Sequence, residues 1–185
     1  TGQKIIKFGK GKWKQAQTYG AREENKSLDN VRKSDVVWIN EQWVFDLVSP
    51  YMFTANERAG WKYNIVATKD CQITRYTKDG FYDWHIDGMG SHNELHTDGN
   101  TRKLSMSIIL NSKFEGGDFE MVGLGEEKIP RLEEGTVIVF PSFAAHRVAP
   151  VTKGIRYSLV AWFVGLPFIY KNFEKNLPFL SRFVQ

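Results

Sequence analysis

Hydrophobic positions along this chain fall into one strand-like run, one helical stretch and, beyond Gly60, a succession of short strands. Val36-Val37-Trp38-Ile39 is an unbroken apolar run of strand length. Asn40 follows as a candidate N-cap, and Trp43, Val44, Leu47 and Val48 then recur at helical spacing, which predicts a helix with one apolar face. Ser49-Pro50 either stops that helix or begins a second turn. Past Gly60 strands are predicted near 61–66, 71–76, 81–87, 103–110, 117–122, 136–140 and 155–164, with Gly, Asp, Asn and Pro between them. Short strands in such number predict a mainly β fold, a sandwich or barrel with flanking helices.

Composition fits one enzyme-sized domain. With 185 residues and 42% hydrophobic content, the chain can bury roughly 70% of its unfolded surface, enough for a core without staples. Cys71 is the only cysteine, so no intramolecular disulfide can form, and a buried thiol in a reducing compartment such as the cytoplasm is the expectation. No apolar run reaches the length of a membrane span and no signal peptide is visible, so a soluble protein is expected. The net charge of +4 is mild, and its basic residues gather at the front, where Lys4, Lys7, Lys10, Lys12 and Lys14 precede any acid. An acidic polypeptide or a nucleic acid could use them, but a solvated and partly mobile basic tail is favoured, and no nucleic-acid motif is present. The expected division is a basic segment over 1–30, a main folded domain over 31–165, and an extension over 166–185 that packs on the core or on a partner.

Charge and aromatic patterning leave one cluster unexplained. His85-Ile86-Asp87 places an imidazole and a carboxylate two residues apart, on one face if the backbone is extended. With His146 arriving from another strand, the three form a two-histidine, one-carboxylate set that leaves coordination positions open on a non-haem Fe(II) ion. Arg156 lies ten residues after His146 and offers a planar fork suited to the far carboxylate of a dicarboxylate co-substrate. The other two histidines, His92 and His96, sit in a polar, Gly-rich stretch over 88–100 that reads better as a lid than as a second metal site.

These residues carry a family resemblance. Arg75 to Asp87, Leu104 to Asn111 with Phe114 to Phe119, and His146 to Trp162 stand in the order of three blocks of the 2-oxoglutarate- and Fe(II)-dependent dioxygenases of the prolyl 4-hydroxylase type. The likeness runs from about Val31 to Val164. It implies a double-stranded β-helix, the jelly-roll or cupin-like core, with iron near its open end held by His85, Asp87 and His146. It also implies that Arg156 and Tyr76 hold 2-oxoglutarate, with Ser107, Phe119 and Val148 at the pocket wall or beside the metal, and that Tyr82 and Trp162 line the substrate entrance. Fe(II), 2-oxoglutarate and O2 are the implied cofactor and co-substrates, and ascorbate the expected reductant. Asp87 favours hydroxylation over halogenation, since related halogenating enzymes lack that carboxylate. The arginine-rich signature of related nucleic-acid demethylases is not met by Arg156 to Trp162.

The expected reaction is hydroxylation of a prolyl residue in a peptide or protein, with release of succinate and CO2. A hydroxylase of a free amino acid or other small molecule is the alternative. A binding module without catalysis is the weaker third reading, because all four of His85, Asp87, His146 and Arg156 are present.

Overall fold

A computed structural model describes residues 1–16, 31–88, 99–122, 129 and 132–167. Helix α1 spans Gly2–Gly9 and α2 spans Gln42–Arg58. The strands are β1 (Lys14–Gln15), β2 (Arg32–Lys33), β3 (Asp35–Ile39), β4 (Ala67–Thr68), β5 (Cys71–Tyr76), β6 (Phe81–His85), β7 (Thr101–Ile109), β8 (Phe114–Gly116), β9 (Phe119–Met121), β10 (Val137–Pro141), β11 (His146–Val148), β12 (Val151–Gly154) and β13 (Arg156–Gly165). The large sheet runs β1-β3-β5-β13-β7-β10, with β4 also paired to β13, the small sheet runs β2-β6-β11-β9, and β8 and β12 form a ribbon. Every pairing is antiparallel.

Alternation along the central strands sorts the side chains into two layers. On β13, Leu159, Ala161 and Phe163 join Leu104, Met106 and Ile108 of β7 in a core that also takes in Ile5 of α1 and Val44, Val48 and Met52 of α2. The helices therefore cover one face of the large sheet. The opposite face of β13 carries Arg156, Ser158 and Trp162, all buried, and that of β7 carries Ser105 and Ser107. A second cluster, Tyr76, Phe119, Phe140, Val148 and Val151, joins residues of both sheets. Polar residues on an inward face are costly unless they are bonded or functional. Here they mark the chamber between the sheets.

Four local expectations are corrected. Residues 61–66 form no strand: Gly60 and Lys62 have positive φ, and the Asn56 side chain bonds both the N–H and the C=O of Tyr63, taking the place of a strand partner. Helix α2 starts after Glu41 rather than Asn40 and runs through Pro50, because Val44, Val48 and Met52 keep one face buried on both sides of the proline. Residues 1–16 are no loose basic tail, since Ile5 is buried and β1 pairs with β3. β6 ends at His85, and the N–H groups of Asp87 and Gly88 both donate to Ser142 O, which turns the chain out of the ladder before the carboxylate. Among the described residues no helix is long and apolar enough to cross a membrane. The expected lid over 88–100 and the extension over 166–185 lie almost wholly outside the described residues.

Candidate metal centre and co-substrate pocket

His85 and His146 are cross-strand partners, paired directly in the register of β6 and β11. Asp87 reaches them from the bend. Its Oδ1 lies 3.7 Å from His85 Nε2 and its Oδ2 3.7 Å from His146 Nε2. That is beyond hydrogen-bond range, yet donors each about 2.1 Å from a shared ion stand no more than about 4 Å apart. All three residues offer ligand atoms within 4.8 Å of one another.

The imidazoles are oriented for this by the chain itself. His85 Nδ1 lies 2.7 Å from Asp83 O and His146 Nδ1 lies 2.9 Å from Ala144 O, each carbonyl two residues upstream. A carbonyl only accepts, so each Nδ1 carries the proton and each Nε2 presents a lone pair to the centre. Burial, followed by His146 alongside, pushes the His85 pKa down to about 4, and the ring is neutral at neutral pH. Neutral imidazole is the form that binds metal. Asp87 is held through its backbone, with its N–H on Ser142 O and its carbonyl accepting from Arg102 Nη1 at 3.0 Å. Ser142 is in turn within 3.0 Å of Ser105 through their hydroxyls.

Arg156 is 1% exposed, opposite Tyr76 in the register of β13 and β5. Nη1 donates to Ser158 Oγ at 3.1 Å, but Nε and Nη2 have no hydrogen-bond partner among the described residues. Those two atoms form one edge of the guanidinium, the edge that takes a carboxylate in a two-point grip. Burial lowers the Arg156 pKa, while the surrounding Tyr76 and Asp118 oppose that shift. Gly117 leaves the space: its φ is +66°, and a Cβ there would lie 2.9 Å from both Arg156 Cδ and Val151 Cγ2.

The remaining expected residues separate by position. Tyr76 is buried with its ring 5.5 Å from the guanidinium carbon of Arg156. Phe119 lies 5.5 Å from the His146 ring and borders the Arg156 pocket, and Val148 packs in the same cluster. Ser107 faces the chamber beside Val160, four residues along β13 from Arg156. The Tyr82 ring stacks on His85 at 3.5 Å, and burial raises its phenol to about 12, so it stays neutral. Trp162 borders an open cleft of about 540 Å³ with Trp38, Thr68, Lys69, Asp70 and Arg102. Cys71 is buried and its thiol is pushed up to about 12, chiefly by burial, which makes it inert. Arg32, Gln72, Arg102 and Ser142 carry no signal in the sequence. The contacts that tie them to the site, Arg32 to Gln72, Arg102 to Asp87 and Ser142 to Asp87, join residues 15 to 55 apart, and no short motif announces them.

A family model described as the 2OG-Fe(II) oxygenase superfamily matches residues 71–164, just over half of the chain. The chain belongs to the 2OG-Fe(II) oxygenase superfamily. Among curated relatives of this oxygenase chain, a PKHD-type hydroxylase of Synechococcus sp. (strain CC9311) is 31% identical over 114 residues, covering 57% of this chain and 50% of the relative. A PKHD-type hydroxylase of Gloeothece citriformis (strain PCC 7424) is 35% identical over 97 residues, covering 51% and 42%. The chain spans about half the length of the curated relatives it matches.

Among solved structures, a Pseudomonas putida prolyl-4-hydroxylase superposes with TM-score 0.62 at 20% identity, covering 87% of this chain and 82% of that one. A prolyl hydroxylase from Trichoplax adhaerens, in complex with a hypoxia inducible factor oxygen degradation domain peptide fragment, gives 0.63 at 21% identity, covering 87% and 74%. At such identities the likeness establishes the fold, a double-stranded β-helix. The family implies Fe(II), 2-oxoglutarate and O2. Two imidazoles with one carboxylate, and a buried guanidinium edge lacking an acceptor among the described residues, fit the first two.

Proposed function

We propose that this chain is a 2-oxoglutarate-dependent Fe(II) dioxygenase that hydroxylates a prolyl residue in a peptide or protein. The unpartnered edge of Arg156 carries the reading. A permanently charged, sealed guanidinium is costly without an anion, and a dicarboxylate whose other end reaches the metal supplies one. His85, Asp87 and His146 would hold iron, and Arg156, with Tyr76 beside it, would hold the far carboxylate of 2-oxoglutarate. When bound together, iron, 2-oxoglutarate and O2 supply an oxidant able to convert a C–H bond to C–OH, with succinate and CO2 as co-products.

The chain's own contribution is placement. Phe119, Phe140 and Val148 pack around His146 and beside it keep the inner side of the site dry. Ser107 lines the chamber wall. Tyr82 and Trp162 would line the substrate entrance with their ring edges, since His85 and Arg32 lie on the Tyr82 ring and Arg102 lies 4.4 Å over that of Trp162, and an extended proline-containing peptide has little conformational entropy to lose on docking there. Ascorbate would keep the iron reduced between turnovers.

The test is mass spectrometry of proline-containing and acidic peptides after aerobic incubation with Fe(II), 2-oxoglutarate and ascorbate, with an anaerobic control. Gain of one oxygen on proline is expected. Succinate formed without peptide oxidation would move the substrate to small molecules, and no succinate at all would end the oxygenase reading.

A further inference from the structure

Gln72 is a buried carboxamide on the chamber face of β5, in one rung with Trp38 of β3 and Val160 of β13. Its Oε1 accepts from Arg32 Nη2 at 2.9 Å and from Thr74 Oγ1 at 3.3 Å. A guanidinium can only donate, so the atom facing Arg32 must be the carbonyl oxygen, and the orientation of the amide follows from chemistry. Arg32 is itself fixed: Nε donates to Ser34 Oγ at 2.8 Å, and its guanidinium lies 4.4 Å over the Tyr82 ring that stacks on His85. The Gln72 –NH2 is thereby turned from Arg32, and it makes no hydrogen bond to any described residue. It is also not among the sealed, unpartnered atoms, so it keeps access to open space.

A second donor stands beside it. Trp162 lies two residues beyond Val160, the cross-strand partner of Gln72, and shares its face of the sheet. Its Nε1–H is buried and has no partner among the described residues. Trp162 borders the open cleft with Arg102, which holds the Asp87 carbonyl, so this wall runs from the cleft toward the metal ligands. The Trp162 N–H is sealed in the empty protein, so the Gln72 –NH2 is the accessible neutral donor on this wall, and it calls for a neutral oxygen. The Arg32 charge is already engaged with Gln72, Ser34 and Tyr82, which disfavours a carboxylate as the ligand here.

We propose that Gln72 is a specificity-determining residue that donates to an amide carbonyl of the substrate, with Arg32 as the positioning residue that fixes its orientation. The inference rests on the oxygenase reading and deepens it: the substrate is acylated, a peptide rather than a free amino acid.

The probes are a panel of N-acetylated, C-amidated prolyl tripeptides, and analogues in which the carbonyl preceding proline is replaced by methylene. Binding is followed by tryptophan fluorescence on protein loaded with Mn(II) and 2-oxoglutarate. The carbonyl peptide should bind the wild type about tenfold tighter than its methylene analogue, the usual worth of one buried hydrogen bond. Gln72→Glu, isosteric and still able to accept from Arg32, should lose that preference while keeping 2-oxoglutarate affinity. Arg32→Lys, which keeps the charge but not the two-point hold, should lose it as well. An unchanged preference in both variants overturns the proposal, as does wild-type binding of free proline in place of every blocked tripeptide. In that last case, succinate formation would still leave the oxygenase reading standing, whereas its absence would end both.

Discussion

A guanidinium sealed from water with one edge unused raises the free energy of the empty protein, and at Arg156 that cost is recovered only when an acceptor arrives. Arg156→Gln should therefore weaken 2-oxoglutarate binding by about 1.5 to 3.5 orders of magnitude, what loss of one partner of a buried charged pair costs. Calorimetry on Mn(II)-loaded protein would read it, and an unchanged dissociation constant would remove Arg156 from the co-substrate site. Gly117 offers a finer probe, because it borders the Arg156 pocket without any side chain of its own. Alanine there must adopt φ near +66° and push on Arg156 Cδ and Val151 Cγ2. The expected result is about 1–3 kcal/mol of lost stability together with weaker 2-oxoglutarate binding and intact metal binding. If stability falls and co-substrate affinity does not, Gly117 serves the turn alone. His146→Ala should abolish succinate formation, and full turnover in that variant would refute its role as a ligand.

At the scale of elements, what could be read from the sequence depended on how local the determining contacts are. β5 and β13 were legible because their alternation is complete within the strand itself, Cys71 and Ile73 on one face, Leu159, Ala161 and Phe163 on the same layer. The two histidines and Asp87 were legible as a spacing, although Asp87 proves to sit on a bend held by Ser142 rather than on the strand. The strand predicted over 61–66 failed because one asparagine satisfies Tyr63 from the end of α2, which no period reveals. Arg32 and Gln72 are forty residues apart, and only the pairing of β2 with β6 and of β3 with β5 brings them together. Helix α1 was hidden by its lysines. Ile5 is its one fully buried large side chain, and Lys4 and Lys12 lie over the rings of Trp43 and Phe8 rather than standing free. Ile5→Ala should thus cost about 2–4 kcal/mol in urea denaturation, like other buried truncations. A loss within experimental error would return residues 1–16 to the status of a tail.

Across the whole molecule, the helices and the large sheet build one core while the metal residues converge from the small sheet and the bend beyond it, so the site forms when the two sheets close on each other. Its ionisation is therefore linked to folding. His85 has a folded pKa near 4 against about 6.5 when exposed, with burial as the largest cause. Between those values the unfolded chain binds more protons than the folded one, so stability rises with pH across that window. The contribution is fully present above about 6.5 and is lost as pH falls toward 4. Metal binding acts in the same direction, because bound metal requires neutral imidazoles and stabilises only the folded chain, by about 2.7 kcal/mol at a hundred times its dissociation constant. The urea midpoint of the metal-free wild type should therefore drop between pH 7 and 5, and His85→Gln, which cannot titrate, should show a shallower drop. Adding Mn(II) should raise the wild-type midpoint at pH 7 and progressively less at lower pH, while leaving His85→Gln nearly unmoved. Parallel acid profiles for the two proteins would show that His85 is not the linked group, and an equal Mn(II) response would show that it is not a ligand.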